Sequence, residues 1–327
     1  MKEPTYRDAI KVSWQLAWHH KSLWLFGLFA AFLGQMGIVE LVTKVSLTAG
    51  NFYTPSAWVY LWRLFSNIQA EEWSGSLNFS VDVWMSIFWL VVILVGFGIL
   101  LVFVSVVSQG AIVRSVALYT KNSKKFPSTS DAWHHSHKHF WRLLVLNILR
   151  EVIVVSVAVF VGWATINAVI EPSRGDIILF LILFMGGAAL GMALSFWLIY
   201  AVGYVVVEEY KLPEAIRAAW RLFTRHWLVS FEVALILFVV NIGIVALAIF
   251  GLYLFFIPSL LLWFIAIFLN NQGLFTVGII VGLGLFSLFI MFVGSIFTVF
   301  ITSTWTYLFM KMHKEGLKSR LMHWMRK

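Results

Sequence analysis

Six long apolar stretches, at 22–45, 84–107, 140–170, 177–207, 227–250 and 273–309, constrain what this chain can fold into. Each has the roughly 20 apolar residues with which a helix, rising ~1.5 Å per residue, crosses a ~30 Å hydrocarbon layer. In such a layer only helices and closed barrels satisfy their own backbone N–H and C=O groups. Unbroken apolar runs of this length, without strict alternation, select helices. Composition agrees, with 61% hydrophobic residues, 12% charged residues and a mean hydropathy of +0.89 over 327 residues. The expected fold is all-α: a polytopic transmembrane helix bundle of about six spans forming one integral membrane domain, 1–327. The third, fourth and sixth stretches are longer than a span needs, so they are expected to tilt or to run past the headgroups.

Charge placement gives the orientation. Twenty of the 24 Lys and Arg residues fall in 1–21, 109–142, 207–226 and 311–327, whereas the opposite-side segments carry Arg63 and Arg174, with Lys44 at a span edge. The positive-inside rule then puts both termini in the cytoplasm. Segment 252–270 is apolar enough for a seventh span, but that would place the basic tail outside. A re-entrant or outer-interface helix around Pro258 is therefore favoured, with a Pro-kinked pair as the alternative. The first stretch reads as an uncleaved signal anchor. A net charge of +9 with no sizeable solvated domain points to anionic lipid as the partner and away from nucleic acid. The absence of cysteine removes disulfides, thiolate metal sites and thiol nucleophiles.

The basic segments also repeat. Ala9-Ile10-Lys11-x-x-Trp14-x-Leu16-x-x-x-His20 returns as Ala215-Ile216-Arg217-x-x-Trp220-x-Leu222-x-x-x-His226 at an offset of 206, and a looser copy starts at Ala132-Trp133-His134 at an offset of 123. Each copy leads into an apolar stretch, which predicts three units of interfacial helix plus helical hairpin: 1–120 with an outer loop at 46–83, 121–208, and 209–310, followed by a basic tail at 311–327. Residues four apart share a helix face, and in the three copies that face carries Lys11/Gln15/His19, His134/Lys138/Arg142 and Arg217/Arg221/Arg225. Opposite it lie Ile10, Trp14 and Trp18, or Ile216, Trp220 and Phe223. A basic ridge opposite an aromatic face suits a helix lying in the headgroup plane. Ser128 or Ser130 is placed to cap the second copy, and Pro213 to start the third.

The order of Lys21-Ser-Leu-Trp-Leu-Phe-Gly-Leu-Phe-Ala30, Lys138-His-Phe-Trp-Arg-Leu-Leu144 and Glu214-Ala-Ile-Arg-Ala-Ala-Trp220 resembles a broad class of bacterial six-span proteins of uncharacterised role. That class includes the membrane domain of some glycerophosphoryl diester phosphodiesterases. The resemblance spans nearly the whole chain on short motifs and implies a bacterial plasma-membrane protein. The catalytic barrel of those enzymes, with its His-Arg-Gly segment, is missing, so phosphodiesterase activity is not implied.

Candidate chemistry is sparse. The run Trp133-His-His-Ser-His-Lys-His139 places His135 and His139 one turn apart, but among its neighbours only Asp131 offers a carboxylate. An interfacial helix is preferred over a metal site, and no metal, cofactor or catalytic residue is assigned. Arg150, Glu151 and Glu232 fall at membrane depth, where charge is costly and usually paired. Arg150 is expected to meet Glu232 across helices, as a structural pair or as part of a proton or substrate relay. Gly187/Gly191 and Gly278/Gly282 permit close helix contact, within the chain or between chains. No phosphate loop, HExxH or Gly-x-Ser-x-Gly elbow is present. Together these features suggest a non-enzymatic protein that binds or organises anionic lipid through Lys11, His134, Lys138, Arg142, Arg217, Arg221 and Arg225. The alternative is a small-molecule or lipid transporter using the buried charges.

Overall fold

The computed structural model describes residues 6–33, 81–121, 128–170 and 174–315, and every regular element among them is helical. In chain order these are α1 (Tyr6–His19), α2 (Ser22–Ala30, ending in a 3-10 turn at Ala31–Leu33), α3 (Val81–Lys121), α4 (Thr129–His137), α5 (Phe140–Ile170), α6 (Arg174–Val207), α7 (Leu212–Phe268) and α8 (Gln272–Glu315). Five of them, α3 and α5 to α8, are long and apolar enough to cross a membrane. The all-α bundle is therefore observed. Of the first expected span only Ser22–Leu33 is seen, as a short apolar helix. Its continuation to 45, the loop up to 80 and the tail beyond 315 lie outside the described residues.

One expectation needs correction. No re-entrant or interfacial break occurs around Pro258, because α7 runs through it to Phe268. The single non-helical backbone position inside α7 is His226 (φ −125°, ψ 26°), so 227–268 is one helix of ~63 Å at ~1.5 Å per residue. Proline removes one backbone donor, and a neighbouring helix makes that tolerable in an apolar setting. Here the neighbour is α8: Ser259 Oγ donates to the Gly278 carbonyl, and Gly251 faces the Phe289 ring. The reversal comes later, at Asn270 and Asn271. Asn270 takes the left-handed conformation (φ 48°), while the Asn271 and Asn270 amides return to the carbonyls of Ala266 and Ile267 at 3.0 and 3.2 Å, a Schellman cap. Asn271 Oδ1 then accepts from the amides of Gly273 and Leu274 at 2.9 and 3.3 Å, capping α8.

The chain divides into two compact units. One comprises Met1–Leu33, Ser105–Leu143 and Ile199–Lys327. Within it α8 packs on α1, α2 and α7. Its core gathers Val106, Ile112, Val116, Tyr200, Leu308 and Phe309 with small hydroxyl residues such as Ser108, Ser295 and Ser303. Small side chains permit close backbone approach where no water-driven collapse operates between helices. Gly27 marks the tightest such place in α2. A methyl there would run into the Ser295 carbonyl and Val299, and Ser295 Oγ also donates to the Trp24 carbonyl. Beyond this core α8 exposes Phe275, Ile280, Leu283, Leu288 and Phe292.

The second unit comprises Gly34–Val104 and Leu144–Leu198. Val154 and Ala158 form its buried centre with Val157, and a methyl on Gly187 would stand 3.0 Å from Val157 and 3.1 Å from Val161. The outer faces of its helices are apolar and exposed, as at Phe160, Ile182 and Met185. These are side chains for which hydrocarbon is the compatible surrounding.

Two glycines test this packing. Gly27→Ala should lower the thermal transition in detergent by the ~1–3 kcal/mol of an overpacked contact. Gly284→Ala, where a methyl meets nothing within 4 Å, should leave it unchanged or raise it. Equal behaviour of the two variants would contradict the α2–α8 contact.

Candidate functional site: the interfacial helix face

All three interfacial helices belong to the first unit: α1, α4 and the opening of α7 ahead of the His226 kink. Burial repeats in the register of the sequence copies. Ala9, Ala132 and Ala215 are buried, as are Ser13, Ser136 and Ala219 one turn on, and Leu16, His139 and Leu222 after them. Positions i, i+4 and i+7 make one continuous helix face, so each copy turns inward a stripe of two small residues followed by a larger one. Lys11, His134 and Arg217 are exposed, and so are Gln15, Lys138 and Arg221.

The aromatic stripe is also on the surface. Trp14 and Trp18 are 50% and 43% exposed, Trp220 48% and Trp141 73%. Trp14 meets Phe300 edge-on at 5.8 Å and Trp18 at 5.7 Å, and Trp18 meets Trp24 at 5.9 Å. Copies one and three thus have three faces, one buried, one basic and exposed, one aromatic and exposed. In copy two, by contrast, His137 stands at the Trp14 position, Trp133 is half-buried against Phe26, and the exposed aromatic is Trp141 at the start of α5. The local starts follow their sequence signals. Ser128 caps α4 by accepting from the Asp131 amide at 3.1 Å, and Pro213 occupies the first turn of α7. The breaks between interfacial helix and span fall at the matching histidines, His20 after α1 and His226 inside α7.

The remaining sequence candidates divide. Arg142 is half-buried and its guanidinium is committed to the chain, donating to the Glu209 and Tyr210 carbonyls at 3.4 and 3.3 Å. Arg225 is exposed, and Arg217 donates to the Pro213 carbonyl at 3.3 Å while remaining exposed. Arg150 is buried and Glu151 exposed, both in the second unit, whereas Glu232 is half-buried in the first. Gly278 and Gly282 make their close contacts inside the chain, against Trp263 and Ser259 of α7, as Gly187 does against α5; Gly191 faces open space.

The linker between α6 and α7 went unnoticed in the sequence. Tyr204 hydroxyl and His313 Nδ1 are 3.3 Å apart, His313 Nε2 lies 3.8 Å from Glu208, and Tyr204 stacks on Tyr210 at 5.4 Å. Glu208 and Glu209 form an acidic pair inside a basic segment, which is the one sequence signal that marks them. His135 has its proton affinity lowered, first by burial and then by the Arg114 charge. His20, whose ring meets Tyr119 at 6.1 Å, is shifted the same way, by burial and then by His19. Compared with family models, curated proteins and solved structures, the chain matches none.

A histidine with a lowered folded-state pKa favours the fold in its neutral form. Its contribution is present above the ordinary value of 6.5 and is lost as pH falls below it. The thermal transition in detergent should therefore drop between pH 8 and pH 5, and His20→Gln should flatten part of that drop. An identical pH slope in the variant would remove His20 from the account.

Proposed function

We propose that this is a non-enzymatic integral membrane protein that binds and organises anionic lipid headgroups through its three interfacial helices. Five helices of spanning length and composition make it membrane-embedded. The observation that carries the lipid reading is the shared register: in every copy the buried stripe fixes which sides face outward, and those sides carry Lys11, Lys138, Arg217 and Arg221 with the exposed tryptophans Trp14, Trp18, Trp141 and Trp220. An aromatic body with a cationic neighbour suits the boundary between headgroups and acyl chains. Each Lys or Arg near an anionic leaflet is worth about 1 kcal/mol, so the exposed residues act additively, with Lys11, Lys138, Arg217, Arg221 and Arg225 as the principal contacts and His134 beside them. Arg142 serves the linker more than the lipid. The same charges, by the positive-inside rule, support cytoplasmic termini, and the resemblance of the sequence to bacterial six-span proteins supports a bacterial plasma-membrane location. The rival reading, transport of a small molecule or lipid, draws on the burial of Arg150 at membrane depth.

Replacing Arg217, Arg221 and Arg225 with Gln should reduce the anionic lipid that co-purifies in mild detergent at low ionic strength, and the difference from the parent should shrink as salt rises, because exposed charges are screened. Undiminished anionic lipid in the triple variant at low salt would overturn the proposal.

A further inference from the structure

The second interfacial copy departs from the other two at two positions. In the common register His135 corresponds to Val12 and Ala218, and His139 to Leu16 and Leu222. Where copies one and three have apolar side chains, copy two has imidazoles, and neither is on the outer face. His139 is 7% exposed and His135 is half-buried, while His134 and His137 of the same run are exposed. A pair of imidazoles in a packed position needs polar partners, and the fold brings one from 70 residues away.

That partner is Glu209. It sits at the end of α6 in the left-handed region (φ 57°), a cap conformation usually given to Gly or Asn. Arg142 holds its carbonyl and the next one. Glu209 Oε1 stands 3.8 Å from His135 Nε2, and the two imidazole rings are 5.0 Å apart. One ligand atom from each of His135, His139 and Glu209 lies within 4.8 Å of the others.

We propose that His135, His139 and Glu209 bind one first-row divalent metal ion, best matched by zinc, with water completing the shell. Two imidazoles and a carboxylate form a donor set this class of ion favours over calcium or magnesium. His139 Nδ1 is 3.0 Å from the His135 carbonyl, an acceptor only, so Nδ1 carries the proton and Nε2 keeps its lone pair for a ligand. Backbone hydrogen bonds of this kind orient metal-bound histidines. His135 Nε2 donates to the Val206 carbonyl at 3.2 Å, among the last carbonyls of α6, so coordination through Nε2 would exchange that hydrogen bond for the ion, at a helix end where the dipole is negative. The Arg114 charge opposes a cation here, and Glu209 with the α6 terminus opposes Arg114. A tetrahedral zinc shell spaces its ligand atoms about 3.3 Å apart, so the trio closes up on binding. The Glu209 side chain, 60% exposed, is free to turn and leaves the fourth position open to water. The ion would clamp the α6–α7 linker onto α4, independently of whether the outer faces bind lipid.

The test uses the full chain in detergent, without a histidine tag and stripped by chelator, titrated with Zn²⁺ by calorimetry and with Co²⁺ by visible absorption. One ion per chain, tetrahedral cobalt bands and a metal-dependent rise in thermal stability are expected. The near-isosteric Glu209→Gln, and His139→Ala, should each weaken affinity at least tenfold while the metal-free proteins still unfold cooperatively. His134→Ala with His137→Ala should leave affinity unchanged. Binding that survives both Glu209→Gln and His139→Ala, binding that vanishes with the His134/His137 pair, or no binding at micromolar metal would each overturn the site.

Discussion

The inward stripe of three short helices is the contact on which the arrangement depends. In each copy an alanine, then a serine or alanine one turn on, lets the helix backbone come close to its neighbours. Small residues make this possible where lipid removes the usual hydrophobic drive between helices. Once that stripe is buried the rest of the helix surface has no choice of direction. The cationic side chains and the tryptophans must face outward together, and the basic ridges follow from packing rather than from separate placement.

The long helices complement that end. The first unit buries the 295–312 portion of α8 and the 105–117 portion of α3, and it leaves apolar chains of 272–292 on the surface. Hydrocarbon tolerates such a surface and water does not. The α7–α8 hairpin is sustained along its length by Gly251 against Phe289, Ser259 on the Gly278 carbonyl, and Gly282 against Ser259. At ~1.5 Å per residue these helices exceed a ~30 Å hydrocarbon layer about twofold, so they tilt or extend beyond it.

Span existence was legible in the sequence because hydropathy over 20 residues is a local property. The interfacial copies were legible because Ala-Ile-x-x-x-Trp recurs at fixed spacing. Helix length was not: Pro258 suggested an end, yet pairing with α8 carries α7 through it, while the true stop at Asn270-Asn271 is a two-residue cap signal. The role of Arg142 was hidden for another reason. Its carbonyl partners at Glu209 and Tyr210 are nearly 70 residues away, and periodicity along one helix says nothing about such neighbours. The same distance concealed Glu209 from His135 and His139, so a histidine run that looked like a wet surface proved to be half turned inward. The packing of Gly278 and Gly282 was visible as small-residue spacing, but the choice of α7 as their partner required the fold.

The central claim, that three helices share one register at one lipid boundary, is tested most directly by depth. In this cysteine-free chain, single cysteines at the register-equivalent surface positions Trp18, Trp141 and Thr224 can each carry a nitroxide, and in anionic bilayers the collision rates with oxygen and with a polar relaxation agent give each label's depth. The account predicts all three at the headgroup boundary, within about one helix turn, ~5 Å, of one another. One label deep in hydrocarbon, or one fully in water while the others are not, would contradict it.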